Sequence, residues 1–144
     1  MNPAAILTGR VDDHGRPLVS LVVRHPVDAA HVELQALIDT GFTGSVLLPP
    51  AVAASLSLPR RVGTPVVLAD GSFSAFETCE LRVEWFGAVR DLIGYIAAGD
   101  RALIGLLLLE DCRLTIDYPA RTVTLELYLT RPRMTPSQTS GTCA

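Results

Sequence analysis

An all-β fold with one or two short helices is what this sequence predicts, on three observations. Its apolar residues fall mostly in short β-branched or alternating runs, as at 17–23, 32–38, 79–86 and 122–127. Turn chemistry separates those runs, most clearly Asp70-Gly71, and Asp-Gly between two strand-forming segments is a strong hairpin signal. Only two stretches read as helix, and both are short.

Residues 11–15 form a turn, since Asp12, Asp13 and Gly15 supply the unusual backbone angles, and the strand at 17–23 follows. The segment 32–38 begins as polar alternation and ends in Ala36-Leu37-Ile38, the pattern of a strand passing from an edge into the core. A short strand at 45–48 ends at Pro49-Pro50. Pro50 suits the first turn of a helix over 51–56, with Val52 and Leu56 on one face, and Leu58-Pro59 stops it. Strands at 66–69 and 72–76 flank Asp70-Gly71. The run 79–86 places Leu81, Val83 and Trp85 on one side, and 89–97 is an apolar strand that Gly94 should break. Residues 106–111 are too leucine-rich for a favoured strand and read as a short buried helix. Strands at 113–117 and 122–127 close the domain as a hairpin. A single domain over 1–129 is expected, with a disordered Pro/Ser/Thr/Gly tail at 130–144.

Composition narrows the function. The net charge of −3 opposes nucleic-acid binding, which needs a basic stripe. All 12 basic residues are arginine. Hydrophobic content of 49% supplies a core, and a mean hydropathy of +0.35 suggests either an unusually apolar interior or apolar surface covered by a partner. Cys79, Cys112 and Cys143 are odd in number and form no C-x-x-C, so a reduced intracellular chain is expected. The N-terminus lacks the features of a signal peptide, and no apolar run is long enough to span a bilayer. A soluble, cytoplasmic protein without membrane contact follows as the expectation. His14, His25 and His31 sit on turns or strand ends without metal-ligand spacing, and no metal or other cofactor is implied.

The stretch that carries chemistry is Leu37-Ile38-Asp39-Thr40-Gly41-Phe42-Thr43-Gly44. An apolar strand there delivers a carboxylate to a hydroxyl and a glycine whose amide can approach it. Asp39-Thr40-Gly41 alone reads equally well as an ordinary turn capping a strand. Its context adds a following helix, the Asp70-Gly71 hairpin, and Leu103-Ile104-Gly105 ahead of a second short helix. In that order these features resemble the retropepsin-like (clan AA) aspartic proteases, of the small single-lobe bacterial kind, over nearly the whole chain.

The resemblance implies a small closed β-barrel and a homodimeric aspartic endopeptidase that takes a peptide or protein substrate. Asp39 is then the catalytic carboxylate, one from each chain, the two sharing one proton. Thr40 and Gly41 complete the active-site loop. Phe42, Val67, Leu68, Ala69, Asp70, Gly71 and Phe73 form the flap and the substrate contacts, and Leu103, Ile104 and Gly105 form the second signature. The chain also departs from the viral pattern. Phe42 stands where a small residue is usual. Thr43 and Leu106 stand where viral members carry an acid and an arginine that pair and brace the dimer. Two other readings stay open: a catalytically silent dimerisation or peptide-binding module on the same fold, and an unrelated small β-barrel in which Asp-Thr-Gly is a turn.

Overall fold

A computed structural model of the chain describes residues 2–67 and 70–129. Its elements in order are β1 (Ala5–Val11), β2 (Pro17–Arg24), β3 (His31–Ile38), β4 (Val46–Leu48), α1 (Pro50–Ser55), β5 (Arg60–Val67), β6 (Phe73–Trp85), β7 (Ala88–Ile96), β8 (Ala102–Ile104), α2 (Leu106–Leu109), β9 (Cys112–Asp117) and β10 (Thr122–Leu127). The strands are joined in the order β5-β6-β7-β4-β8-β3-β2-β1-β10-β9, and a further β2–β6 pairing closes β2, β3, β8, β4, β7 and β6 into a barrel. β5 lies outside the barrel along β6, while β1, β10 and β9 extend from β2. The expected all-β closed barrel with two short helices is what forms.

Closure runs through Val22 opposite Glu84, Val23 opposite Val83 and Arg24 opposite Arg82. Arg24 donates to Glu84 across this seam at 2.7 Å. That pair is partly solvated and contributes at most about 1 kcal/mol. The fully buried Val23 and Val83 carry the seam. Around them, Leu21, Ile38, Leu48, Leu81 and Ile104 pack into one core cluster. From Cys79 onward β6 alternates cleanly, so Leu81, Val83 and Trp85 face inward as the sequence suggests.

Four expectations give way, the first being the separate strands at 72–76 and 79–86, which are the single strand β6. β1 went unread because Gly9 interrupts a run beside the N-terminus; the glycine is needed where a Cβ would overlap the Leu18 carbonyl of β2. β5 starts at Arg60, not near Val66. Gly63 and Pro65 look like breakers, but β5 is an outer strand, and a register shift between Val62 and Pro65 absorbs them. Gly94 does not break β7: a Cβ there would lie 2.8 Å from Leu81 Cδ2 and 3.3 Å from the Val46 carbonyl oxygen. The glycine marks a close approach inside an unbroken strand.

The remaining sequence features take simple places. Asp117 accepts the Ala120 amide at 3.0 Å, a turn role. His14 and His31 are exposed. The His25 ring accepts the amides of Val27 and Asp28 at 3.1 and 3.0 Å, which organises its own turn. The expected tail at 130–144 lies outside the described residues, as do Leu68 and Ala69.

Leu81 is 1% exposed at the centre of this barrel. Leu81→Ala is expected to lower unfolding free energy by about 2–5 kcal/mol. Urea denaturation checks it, and a loss of less than about 1 kcal/mol would show that the interior beside Gly94 can collapse around the gap.

Candidate active site

β3 runs between β2 and β8, and its last residue, Ile38, is core. Asp39 follows at once. Its amide donates to the Ile104 carbonyl at 2.9 Å, pinning the end of β3 to the end of β8. The chain then turns back on the carboxylate: the Gly41 amide donates to Asp39 Oδ1 at 3.0 Å, and the Phe42 amide to the Asp39 carbonyl at 3.2 Å. The first is the bond of an Asx-turn, which fixes the side chain relative to its own backbone, and the second closes a β-turn over it. Asp39 is half-buried, and Thr40 and Thr43 are exposed.

The second signature is laced to this loop by main chain alone. Gly105 donates to the Ser45 carbonyl at 2.9 Å, Leu106 to the Phe42 carbonyl at 2.9 Å, and Leu107 to the Gly44 carbonyl at 3.2 Å. A Cβ on Gly105 would overlap the Gly44 carbonyl and sit 2.6 Å from the Phe42 carbonyl oxygen, so only glycine fits. Buried Ser45 extends the tie, its hydroxyl donating to the Ile93 carbonyl of β7 at 2.9 Å.

Strand register decides which side chains share the carboxylate's face. Leu37 precedes Asp39 by two, so strand alternation sends both to one side. Leu37 is opposite Leu103 on β8, Leu103 opposite Leu47 on β4, Leu47 opposite Tyr95 on β7, and Tyr95 opposite Thr78 on β6. Phe76 is two residues from Thr78 and shares its side. All of these are half-buried, while their neighbours Ile38, Ile104, Val46, Ile96 and Cys79 point the other way into the core. Of the second signature, then, Leu103 faces the site, Ile104 is core and Gly105 is a backbone contact.

Phe42 joins that face through an edge-to-face contact with Tyr95, ring centroids 5.8 Å apart, and Tyr95 meets Phe76 in the same way at 6.3 Å. The sequence reading did not single out Tyr95 or Phe76. Their only signal was aromatic side chains on the outward parity of two strands.

The hairpin residues stand apart. Val67 pairs with Phe73, and both are exposed, 60% and 74%. At the tip Asp70 Oδ1 accepts the Ser72 hydroxyl at 2.6 Å and the Ser72 amide at 2.9 Å, which holds the carboxyl below its usual range. Gly71 takes φ +83°, a region that favours glycine. Among the described residues the tip makes no hydrogen bond to the Asp39 loop. A ring chain from Phe76 through Tyr95 to Phe42 links arm and loop. Among the described residues, no group of three or more His, Cys, Asp or Glu side chains is placed to hold a metal ion, and no helix is long and apolar enough to cross a membrane.

No protein-family model matches the chain, and no curated protein matches it. Among solved structures, that of the EIAV protease complexed with the inhibitor HBY-793 is similar, with a TM-score of 0.54 and 19% identity. The match covers 69% of this chain and 90% of that one. The likeness is one of fold: the barrel is retropepsin-like.

Gly105→Ala is expected to destabilise the protein by about 1–3 kcal/mol or more, because the two carbonyls it meets are backbone and cannot swing aside. Gly41→Ala is the control. Its Cβ would meet only Asp39 Oδ1, at 3.4 Å, and the change should stay within about 0.5 kcal/mol. Thermal or urea unfolding of the two variants compares them; equal losses would remove the steric account of the lacing.

Proposed function

We propose that the chain, over residues 1–129, is an aspartic endopeptidase of the bacterial retropepsin-like type that works as a homodimer. The observation that carries this reading is Asp39, half-buried on a turn that orients its carboxylate and is laced to a second loop inside a retropepsin-like barrel. One chain supplies one such carboxylate, so a dyad needs the partner subunit's Asp39. Leu106 and Leu107, 40% and 50% exposed beside the loop, offer apolar surface to a second copy.

Two carboxyl groups held close share a single proton, since both cannot ionise cheaply. The ionised member takes a proton from a water as the water oxygen attacks the scissile carbonyl carbon. The protonated member gives its proton to the carbonyl oxygen, forming a tetrahedral diol. The member that took the water proton then gives it to the amide nitrogen while the other member takes a diol hydroxyl proton, so the C–N bond breaks, one acid and one amine leave, and the pair again holds a single proton. Thr40 links the Asp39 loops of the two subunits through its hydroxyl, Gly41 lets the main chain approach, and the hairpin over 67–73 covers the bound peptide. No metal or nucleotide takes part. Among the described residues Cys79 and Cys112 carry free thiols, which fits the reducing cytoplasm that this reading assigns to the chain.

A second reading is a silent peptide-binding module on the same fold. The uncharged Thr43 and Leu106, where viral members place a bracing ion pair, favour it.

Asp39→Asn separates the two readings. The amide is nearly isosteric but passes no proton, so peptide cleavage should fall by roughly 10²–10⁴-fold or more while the melting curve stays put. Unchanged cleavage would remove Asp39 from the reaction, and absent cleavage in the parent protein would favour the silent module.

Activity should also follow a bell-shaped pH profile on the acid side of neutrality. It falls at high pH as the pair loses its shared proton, and at low pH as both members become protonated. Sedimentation run alongside the assays should show a dimer wherever cleavage occurs. A monomer that cleaves, or a rate still rising into alkali, would overturn the dyad.

A further inference from the structure

We propose that Phe42, Tyr95 and Phe76 form a fixed aromatic wall that limits the size of a substrate side chain lying beside Asp39. The proposal rests on the peptide-binding site just described and names the substrates it selects: extended peptides with small side chains there.

The wall is placed by the loop and by register. Phe42 is in the Asp39 turn itself, its amide bonded to the Asp39 carbonyl at 3.2 Å. Tyr95 and Phe76 belong to the half-buried face that runs through Leu47 and Leu103 to Leu37 and Asp39. An extended peptide crossing Asp39 sends alternate side chains onto this face.

Glycines hold the wall in place. A Cβ on Gly44 would lie 2.6 Å from Phe42 Cζ and 2.8 Å from Tyr95 Cε2, and one on Gly105 would lie 2.6 Å from Phe42 Cδ2. The Phe42 ring therefore fills a slot that two glycines leave open. Tyr95 meets the Phe42 ring edge-on at an interplanar angle of 75°, and Phe76 meets Tyr95 at 79°. Such pairs prefer this edge-to-face geometry, and the close approaches of Gly44 and Gly105 leave no room behind the Phe42 ring.

The three rings are not simply core. Each stays half-exposed: Tyr95 stands across β7 from buried Gly94 and Ile96, and Phe76 lies where the other face of β6, at Ala75 and Glu77, is exposed. Three of the chain's eight aromatic side chains thus keep open surface on the one face that carries the carboxylate. A small aliphatic side chain can rest on that surface. A benzyl group needs the volume that Phe42 already occupies.

The test uses peptide-like inhibitors with a central hydroxyethylene unit, in which the first or second side chain on either side is methyl or benzyl. Binding to the full-length protein is measured by calorimetry at mildly acidic pH. At one or more of these positions the parent protein should prefer methyl by about ten-fold or more. Phe42→Ala should cut or invert that preference by about ten-fold, and Phe42→Leu should fall between. Phe76→Ala should relax it in the same direction, and it decides the matter if Phe42→Ala does not fold. A preference that no variant alters, a parent protein that favours benzyl at every position, or a parent that binds neither series overturns the wall. Cleavage of matching peptides is followed in parallel. Inhibitor selectivity as expected without any cleavage would sink the peptidase reading and leave the wall standing.

Discussion

The lacing of two loops by main-chain hydrogen bonds is the constraint on which the site depends. Asp39 to Ile104, Gly105 to Ser45, Leu106 to Phe42 and Leu107 to Gly44 form a ladder with no side chain in it. Such a ladder needs the backbones in close approach, and Gly105 is the residue that permits it. A carboxylate on a free loop would sample many positions. Here its strand is pinned at Ile104, and its side chain is held by the Gly41 amide. The tie reaches the barrel wall through buried Ser45 and the Ile93 carbonyl, so the wall's rigidity is passed to the loop.

Register then does what sequence position cannot. Five strands contribute to the face around Asp39, and only their pairing puts Leu37, Leu103, Leu47, Tyr95 and Thr78 in one row. Because strand side chains alternate, the same pairing puts Ile38, Ile104, Val46, Ile96 and Cys79 into the core. Core and site are two sides of one sheet, and a one-residue slip in any of these strands would exchange them. The β2–β6 seam guards against that slip by fixing β6 at Val83 against Val23.

How much of this was legible follows from what each residue signals locally. Asp39-Thr40-Gly41 and Leu103-Ile104-Gly105 were legible as motifs, and the structure brings them together. An all-β chain with short helices was legible in the residues, and its closure into a barrel only through the family resemblance that the motifs carry. β1 and the start of β5 were not, because Gly9, Gly63 and Pro65 carry breaker signals that neighbouring backbone and an outer position override. Gly94 misled for the same reason: a glycine needed for close approach looks like one that interrupts. Tyr95 and Phe76 were hidden because their role exists only after β4, β6 and β7 pair.

The aromatic after Gly41 is best understood as part of a packing unit. Phe42 fits only because Gly44 and Gly105 have no Cβ, and the slot beside those glycines is filled only because Phe42 is large. A small residue at 42 would leave the two loops touching through backbone bonds with an apolar gap beside them, at the point where rigidity matters most. The ring closes that gap without a charged group. A loop stiffened in this way places less demand on ionic bracing from its flanks, and that is consistent with uncharged Thr43 and Leu106 at positions adjoining the ring and its ladder. The same filling removes volume from the face beside Asp39. One side chain therefore ties the stiffness of the site to the size of what the site can accept.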